Sequence, residues 1–405
     1  MKIAVIGAGI VGIATAYELA ADGHAVTVIE RHAGAAEEAS FGHAGLLSAS
    51  RVLAWTAPGG LLPSRRRGVR LTRPWSRRDL AWLLNGAKHP AGADAALLQL
   101  ARFSLERLAW LSESLQLEYE SCAGCLVLLR DPAERKRIDP GLNQLREAGV
   151  TWRELDAAAA RQLEPGLSTD SALSGAIELP DDGAGNCRQF AHLLRAEAQA
   201  AGVVFEFNRD VLTVSGGARP QLEMAGEPKS AHFDAIVLCA GLGSEELLQS
   251  FGLRKRLVAV HGYSINAPVR EPLHAPRAAL VDQRHGVSIT RLGQRVRVSG
   301  GAELGGSPNV KPAASVQQLY RVLHDWFPGA ARLSGPAGAV IEWKGARPTS
   351  PDGLPLLGKG AEPGLWINTA HADHGWTLAC GSARVLADQI AGHDSTVDIS
   401  ALAPR

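Results

Sequence analysis

Cysteine is scarce in this chain of 405 residues: five in all, Cys122, Cys125, Cys187, Cys239 and Cys380. An odd, scattered set builds no disulfide framework and fits a reducing compartment. Cys122 and Cys125 have CxxC spacing, but no second pair completes a zinc site, so no metal is expected there. A charge surplus is missing too, with 42 Lys and Arg against 41 Asp and Glu. Such a balance creates no field that would gather nucleic acid. No apolar run approaches the length of a membrane-spanning helix. The opening "MKIAVIGAG" runs straight into a glycine turn without a small-residue cleavage site, so a secretory signal is not expected and a cytoplasmic location is. There is no internal repeat. What the chain does have is 46% hydrophobic residues. Over this length that supports a proper buried core, in two domains or one large one.

"KIAVIGAGIVGIATAYELAADGHAVTVIE" reads as strand, glycine turn, helix, strand, with GxGxxG at Gly7, Gly9 and Gly12. In that context Gly7 permits the tight turn and Gly9 lets a pyrophosphate approach the backbone. Ile10 and Val11 open the helix, and Gly12 lets it pack on the sheet with its N-terminus toward the phosphates. Glu30, followed by Arg31, closes the second strand where a carboxylate takes both ribose hydroxyls. FAD and NAD both satisfy this segment.

Downstream, "GVVFEFNRDVLTV", containing Val211, is strand-like, and "FDAIVLCAGLGSEELL" is a buried strand running into Ala240, Gly241 and a helix. "GYSINAP" and "GVSITRLGQRVRVSG" alternate with period two, the second as a hairpin turning at 292–294. These patterns predict an α/β protein: a Rossmann-type dinucleotide domain, mostly parallel, from residues 1–52, 141–247 and 338–405. A substrate domain on an antiparallel sheet, from 53–140 and 248–337, interrupts it twice.

The N-terminal fingerprint, "AGLLSASRVLAWTAPGG", "IELPDDGAGNCRQFAHLL", "HGYSI", "ITRLGQRVRVSGGAELGG", "WKGARPTSPDGLPLLG" and "LWINTAHADHGWTLACGSARVLADQI" occur in the order and approximate spacing of the D-amino acid dehydrogenases. The chain resembles that family, part of the FAD-dependent D-amino acid oxidase, glycine oxidase and sarcosine oxidase superfamily, over nearly its whole length. The resemblance selects FAD as cofactor. It implies contacts to FAD from Gly7, Gly9, Ile10, Val11, Gly12, Glu30, Arg31, His43, Ala44, Gly45, Leu46, Val211, Ala240, Gly241, Gly345, Arg347, Gly375, Trp376 and Thr377. It implies a D-amino acid substrate, cyclic D-proline or hydroxy-D-proline among the candidates, and electrons passed to a quinone or another acceptor. Three departures mark the chain: His43 where asparagine is usual, His374 where leucine is usual, and a shorter middle.

The helix opening near Gly375 resembles the one whose N-terminal amides face the pyrimidine end of the flavin, where reduction leaves negative charge. His371 and His374 sit on the loop entering it, either touching flavin or substrate or only hydrogen-bonding the loop. A substrate carboxylate calls for a forked guanidinium. Arg291 and Arg347 match pocket positions of glycine oxidase and its relatives, with Tyr263 as hydroxyl donor to the same carboxylate. Arg295 and Arg297 read as a solvated strand face. The expected catalytic set is therefore Tyr263, Arg291, Arg347 and His374, with the Cα hydrogen leaving as hydride to flavin N5. "SFGHAGLLS" resembles a segment whose histidine carries flavin covalently in dimethylglycine- and sarcosine-oxidising relatives, but the rest of the chain follows the non-covalent branch. A contact beside the ring is expected of His43. The 61–84 segment holds seven arginines between Arg65 and Arg78, flanked by Leu61, Leu62, Trp75, Trp82, Leu83 and Leu84. It suits an anionic membrane surface carrying a quinone, and equally a solvated basic loop. A dioxygen-using oxidase and the flavin subunit of a heteromeric dehydrogenase are the competing readings.

Overall fold

The computed structural model describes residues 1–53, 69–84, 89–251, 253, 257–336 and 339–404. The β-branched runs at Lys2–Ile6 and Ala25–Ile29 form neighbouring parallel strands, Val5 opposite Val28. Ala235–Leu238 pairs on the other side, Val5 opposite Val237. The six-stranded sheet runs Leu356–Lys359, Leu365–Thr369, Ala235–Leu238, Lys2–Ile6, Ala25–Ile29, Val204–Glu206. Only the Leu356–Lys359 pairing is antiparallel. Alternation splits the first strand between two cores. Ile3 and Val5 pack with the helices Ile10–Ala21, Ala93–Ser114, Cys187–Ala200 and Gly375–Ala391. Ala4 and Ile6 face the other way, toward Val214 and Leu222 of a small three-stranded sheet. A sheet buried on both faces is what continuous apolar strands require.

Among these helices lies one buried ion cluster. Glu18 is fully buried; Arg107 binds it through Nε and Nη2 at 2.7 and 2.8 Å, and Arg384 Nη1 adds a bond of 2.9 Å. One carboxylate thereby clamps three helices.

The second sheet has ten strands and carries the substrate side. Its central hairpin, Val287–Leu292 with Arg295–Gly305, places Val287, Ile289, Val296 and Val298 against the helix Ala313–Trp326. The intervening residues Ser288 and Ser299 face a cavity instead. That division refines the predicted boundaries. Arg153–Asp156, Gly175–Ala184 and Ile341–Thr349 fall in segments assigned above to the dinucleotide domain, yet all are strands of the second sheet. The chain crosses between sheets more often than composition reveals, because strands as polar as Arg153–Asp156 and as apolar as Gly175–Ala184 join the same sheet.

Leu61, Leu62 and Arg65 to Arg67 of the arginine-rich segment lie outside the described residues. In its described part Trp75 and Leu84 are exposed, but Trp82 and Leu83 are buried against Val258, Val260 and Leu304. Trp82 Nε1 donates to the Ser350 carbonyl at 3.0 Å. Arg70 pairs with Glu303, and Arg78 with Glu245. Half of the amphipathic pattern is thus spent on internal packing.

Candidate active site

The carboxyl ends of the parallel strands open onto a cavity of about 320 Å³ whose far wall is the second sheet. Ligands of open α/β sheets bind at this end. At Gly7 the backbone is left-handed (φ +104°), and a Cβ would lie 2.7 Å from the Cys239 carbonyl oxygen. A Cβ on Gly12 would lie 1.9 Å from the Gly7 carbonyl oxygen, so the helix rests directly on the turn. Gly12 acts from beneath and is not on the wall. Gly9 opens the helix without a side-chain cap, and Ser40 Oγ accepts from the Ile10 amide at 3.1 Å. Ser40 had no sequence signal, because it reaches the turn from a loop thirty residues on. Glu30 is fixed by the Ala8 and His32 amides at 2.7 and 2.8 Å and borders the cavity with Arg31, which pairs with Glu38.

Ile10, Val11, His43, Ala44, Leu46, Val211, Ala240, Gly241 and Gly345 also line the cavity, whereas Gly45 does not. A Cβ on Gly45 would meet the Gly185 carbonyl oxygen at 3.1 Å, and its φ of +86° shapes the loop behind the wall. The second helix terminus converges on the same space: Gly375, Trp376 and Thr377 line it, and no side chain caps this helix. Thr377 Oγ1 accepts from the Ser48 amide at 3.2 Å, tying the helix to the 43–48 loop.

His43 Nδ1 accepts from the Gly45 amide at 3.1 Å, so that nitrogen carries no proton. Burial, reinforced by Arg297, pushes His43 down to about 4, leaving it neutral at working pH. Arg297 Nη1 donates to the His43 carbonyl at 2.9 Å and is only 8% exposed. The expectation of a solvated strand face at Arg297 is corrected. Its alternation is real, but the outward face of this sheet is a protein-lined cavity wall and not solvent. Arg295, two residues away on the same face, donates to the Asn266 and Ala339 carbonyls.

Arg291 is the second correction. It shares its face with Val287 and Ile289, away from the cavity, and its Nε donates to the Gly293 carbonyl of its own hairpin at 2.9 Å. The residue type was right for a carboxylate and the strand parity was wrong. Tyr263 does border the cavity, but its hydroxyl donates to Glu303 Oε2 at 2.6 Å. Its proton is therefore committed to Glu303, and the expected donation to a substrate carboxylate is not available while that bond stands.

Arg347 remains. Its Nε and Nη2 donate to the Val260 and Gly301 carbonyls, and among the described residues Nη1 has no hydrogen-bond partner. Burial lowers its pKa, opposed by Asp373. The guanidinium is thus anchored on one edge and available on the other. His371 is 4% exposed and pushed down to about 3 by burial and His374, and its Nε2 has no partner among the described residues. His374 Nε2 lies 3.3 Å from Asp373 Oδ1, and both residues line the cavity. Asp373 borders the cavity with 53% of its side chain accessible. Burial alone would raise its carboxyl; the charges of His374, Arg347 and Arg51 outweigh that and hold it well below the usual carboxylate range. Ala370 and Ala372 flank His371 with φ of +63° and +50°, left-handed conformations that cost an alanine about 1–2 kcal/mol each. Among the described residues no group of three or more His, Cys, Asp or Glu is arranged to hold a metal.

The residues present fit FAD. The glycine turn has no room for a Cβ at Gly7 or Gly12, two helix N-termini open onto the same cavity, and a fixed carboxylate ends the second strand. A parallel dinucleotide sheet facing a second sheet across such a cavity is the architecture of a dinucleotide-dependent oxidoreductase. The chain belongs to the DAO family, FAD dependent oxidoreductase, which it matches over residues 2–389. It is 34% identical to a D-amino acid dehydrogenase of Rhizorhabdus wittichii, covering 100% of this chain and 99% of the relative. A D-amino acid dehydrogenase of Cereibacter sphaeroides is 35% identical, with 98% and 93% covered. Among solved structures, glycine oxidase from Geobacillus kaustophilus superposes with a TM-score of 0.79 at 21% identity, covering 100% of this chain and 98% of that one. L-Proline dehydrogenase from P. horikoshii superposes at 0.75 with 16% identity, covering 100% and 96%. These likenesses confirm the fold.

Proposed function

We propose that the protein is an FAD-dependent dehydrogenase that oxidatively deaminates D-amino acids. The observation that carries this reading is Arg347, a guanidinium held on one edge and open to the cavity on the other, in a chain that aligns end to end with D-amino acid dehydrogenases. Arg347 binds the substrate carboxylate through its open edge. When bound, FAD supplies the two-electron acceptor for the Cα hydrogen. Neutral His43 and His371 pack beside the reacting region without adding charge. The uncapped Gly375 helix presents amides where negative charge collects.

The finer reading is a cyclic substrate, D-proline or hydroxy-D-proline, with a quinone as acceptor reached through contact of the 61–84 segment with an anionic membrane. It is supported by the departures at His43 and His374 and by the exposed Trp75 and Leu84. The test is a screen of D-amino acids against the FAD-loaded protein with an artificial acceptor and with dioxygen alone. Turnover with the dye but not with dioxygen supports the dehydrogenase. Turnover with dioxygen alone makes it an oxidase, and no flavin reduction by any D-amino acid overturns the proposal.

A further inference from the structure

The carboxylates on the cavity wall divide into two groups. Glu30, Glu38 and Asp210 gather around Arg31, with which Glu38 pairs, Glu246 follows the Gly243 turn that abuts the Arg31 guanidinium, and Glu37 pairs with Arg188. Asp373 stands apart. It lies on the loop that bridges to the Arg347 strand at Thr349 and His371, and the Arg347 charge acts on it. It faces the cavity with half its side-chain surface accessible. The loop that presents it passes through two left-handed alanines, a shape the surrounding structure imposes.

We propose that Asp373 is a catalytic carboxylate: it accepts an N–H of the substrate amine and stabilises the positive charge that develops on that nitrogen. The inference rests on the D-amino acid reading of the site. In the reaction the Cα–H bond breaks and both of its electrons leave with the hydrogen to oxidised flavin, while the nitrogen lone pair closes a C=N bond. The nitrogen becomes cationic, and one N–H proton then passes to water to give the imine. A carboxylate against that nitrogen stabilises the product-like charge more than the neutral amine, which lowers the barrier and not merely the binding energy. Asp373 serves as hydrogen-bond acceptor and not as base, because the charges of His374, Arg347 and Arg51 hold its carboxyl well below the usual carboxylate range and leave it too weakly basic to keep a proton. Arg347 and Asp373 together are complementary to the two ends of an amino acid, carboxylate and amine, and a ligand without nitrogen uses only the first.

The experiment follows from that asymmetry. Parent and Asp373→Asn are loaded with FAD, and two quantities are read: the anaerobic rate at which a D-amino acid bleaches the flavin, and the Kd of a nitrogen-free aromatic carboxylate from its perturbation of the flavin spectrum. Asp373→Asn is expected to slow bleaching about 100-fold while leaving the carboxylate Kd within about twofold. A bleaching rate within about twofold of the parent overturns the inference and leaves the D-amino acid reading standing. A carboxylate Kd weakened in parallel with the rate also overturns it, showing that Asp373 only shapes the pocket. A parent that no D-amino acid bleaches overturns the functional reading, and the inference with it.

Discussion

Arg291 and Arg347 carry the same chemistry and differ only in where the fold aims them. Arg291 is turned toward its own hairpin, and Arg347 borders the cavity. Loss of a charge-assisted carboxylate contact costs about 2–4 kcal/mol of transition-state stabilisation. Steady-state kinetics of Arg347→Met should therefore show kcat/KM lowered about 30- to 1000-fold, with Arg291→Ala unchanged. The reverse pattern would return the role to Arg291. His371 supports a pH prediction. Its folded pKa of about 3 lies below the ordinary 6.5, so between those values the unfolded chain binds a proton that the native state refuses. Stability attributable to neutral His371 is complete above pH 6.5 and is lost as pH falls toward 3. Between pH 7.5 and 5.5 the parent should lose about 1 kcal/mol more than His371→Gln in urea unfolding. Equal losses would show that the ring becomes charged without penalty.

At the scale of elements, the Ile10–Ala21 helix is held from both ends of its length. Its start rests on Gly7, and Glu18, two turns on, binds arginines from the Ala93–Ser114 and Gly375–Ala391 helices. Glu18→Gln removes the charge and leaves Arg107 and Arg384 facing a buried neutral group. Unfolding should become easier by about 3 kcal/mol, read as a lower urea midpoint at unchanged slope. A change below about 0.5 kcal/mol would mean that Asp22 and Asp388, which also bind Arg384, compensate. Gly7→Ala meets two independent obstacles, a left-handed backbone and a carbonyl at 2.7 Å. The purified variant should lack the flavin absorption band even after reconstitution, and retention of FAD at the parent's stoichiometry would contradict the cradle.

For the whole molecule, the cavity wall is shared by the two sheets, whose apolar residues also meet in one core, Ile3 and Val5 of the first with Val127, Ile177 and Val281 of the second. A ligand filling it joins them, so FAD at about 100 times its Kd should stabilise the native state by about 2.7 kcal/mol. Thermal unfolding of FAD-stripped and FAD-loaded protein checks this: the loaded form should have the higher Tm, and an identical Tm would place FAD outside the shared wall. The ten-stranded sheet also explains why the arginine-rich segment is only partly a surface. Arg70 is drawn into hydrogen bonding with Glu303, and Trp82 into the core beside Leu304.

Sequence alone determined the glycine turn, Glu30, the family and the helix opening at Gly375, because each depends on residues close together in the chain whose spacing is itself the geometry. Strand alternation at 287–298 was equally legible. Which face of that alternation meets the cavity was not, since Val287 and Ser288 are both buried, one against the Ala313–Trp326 helix and the other on the cavity wall. The tertiary structure therefore decided against Arg291, moved Arg297 from solvent to the wall behind His43, and committed the Tyr263 hydroxyl to Glu303. Asp373 carries no periodic signal at all. Its meaning comes from Arg347 and Arg51, which lie far from it in sequence and reach it only because the 371–374 loop and two sheet edges meet at one end of a single cavity.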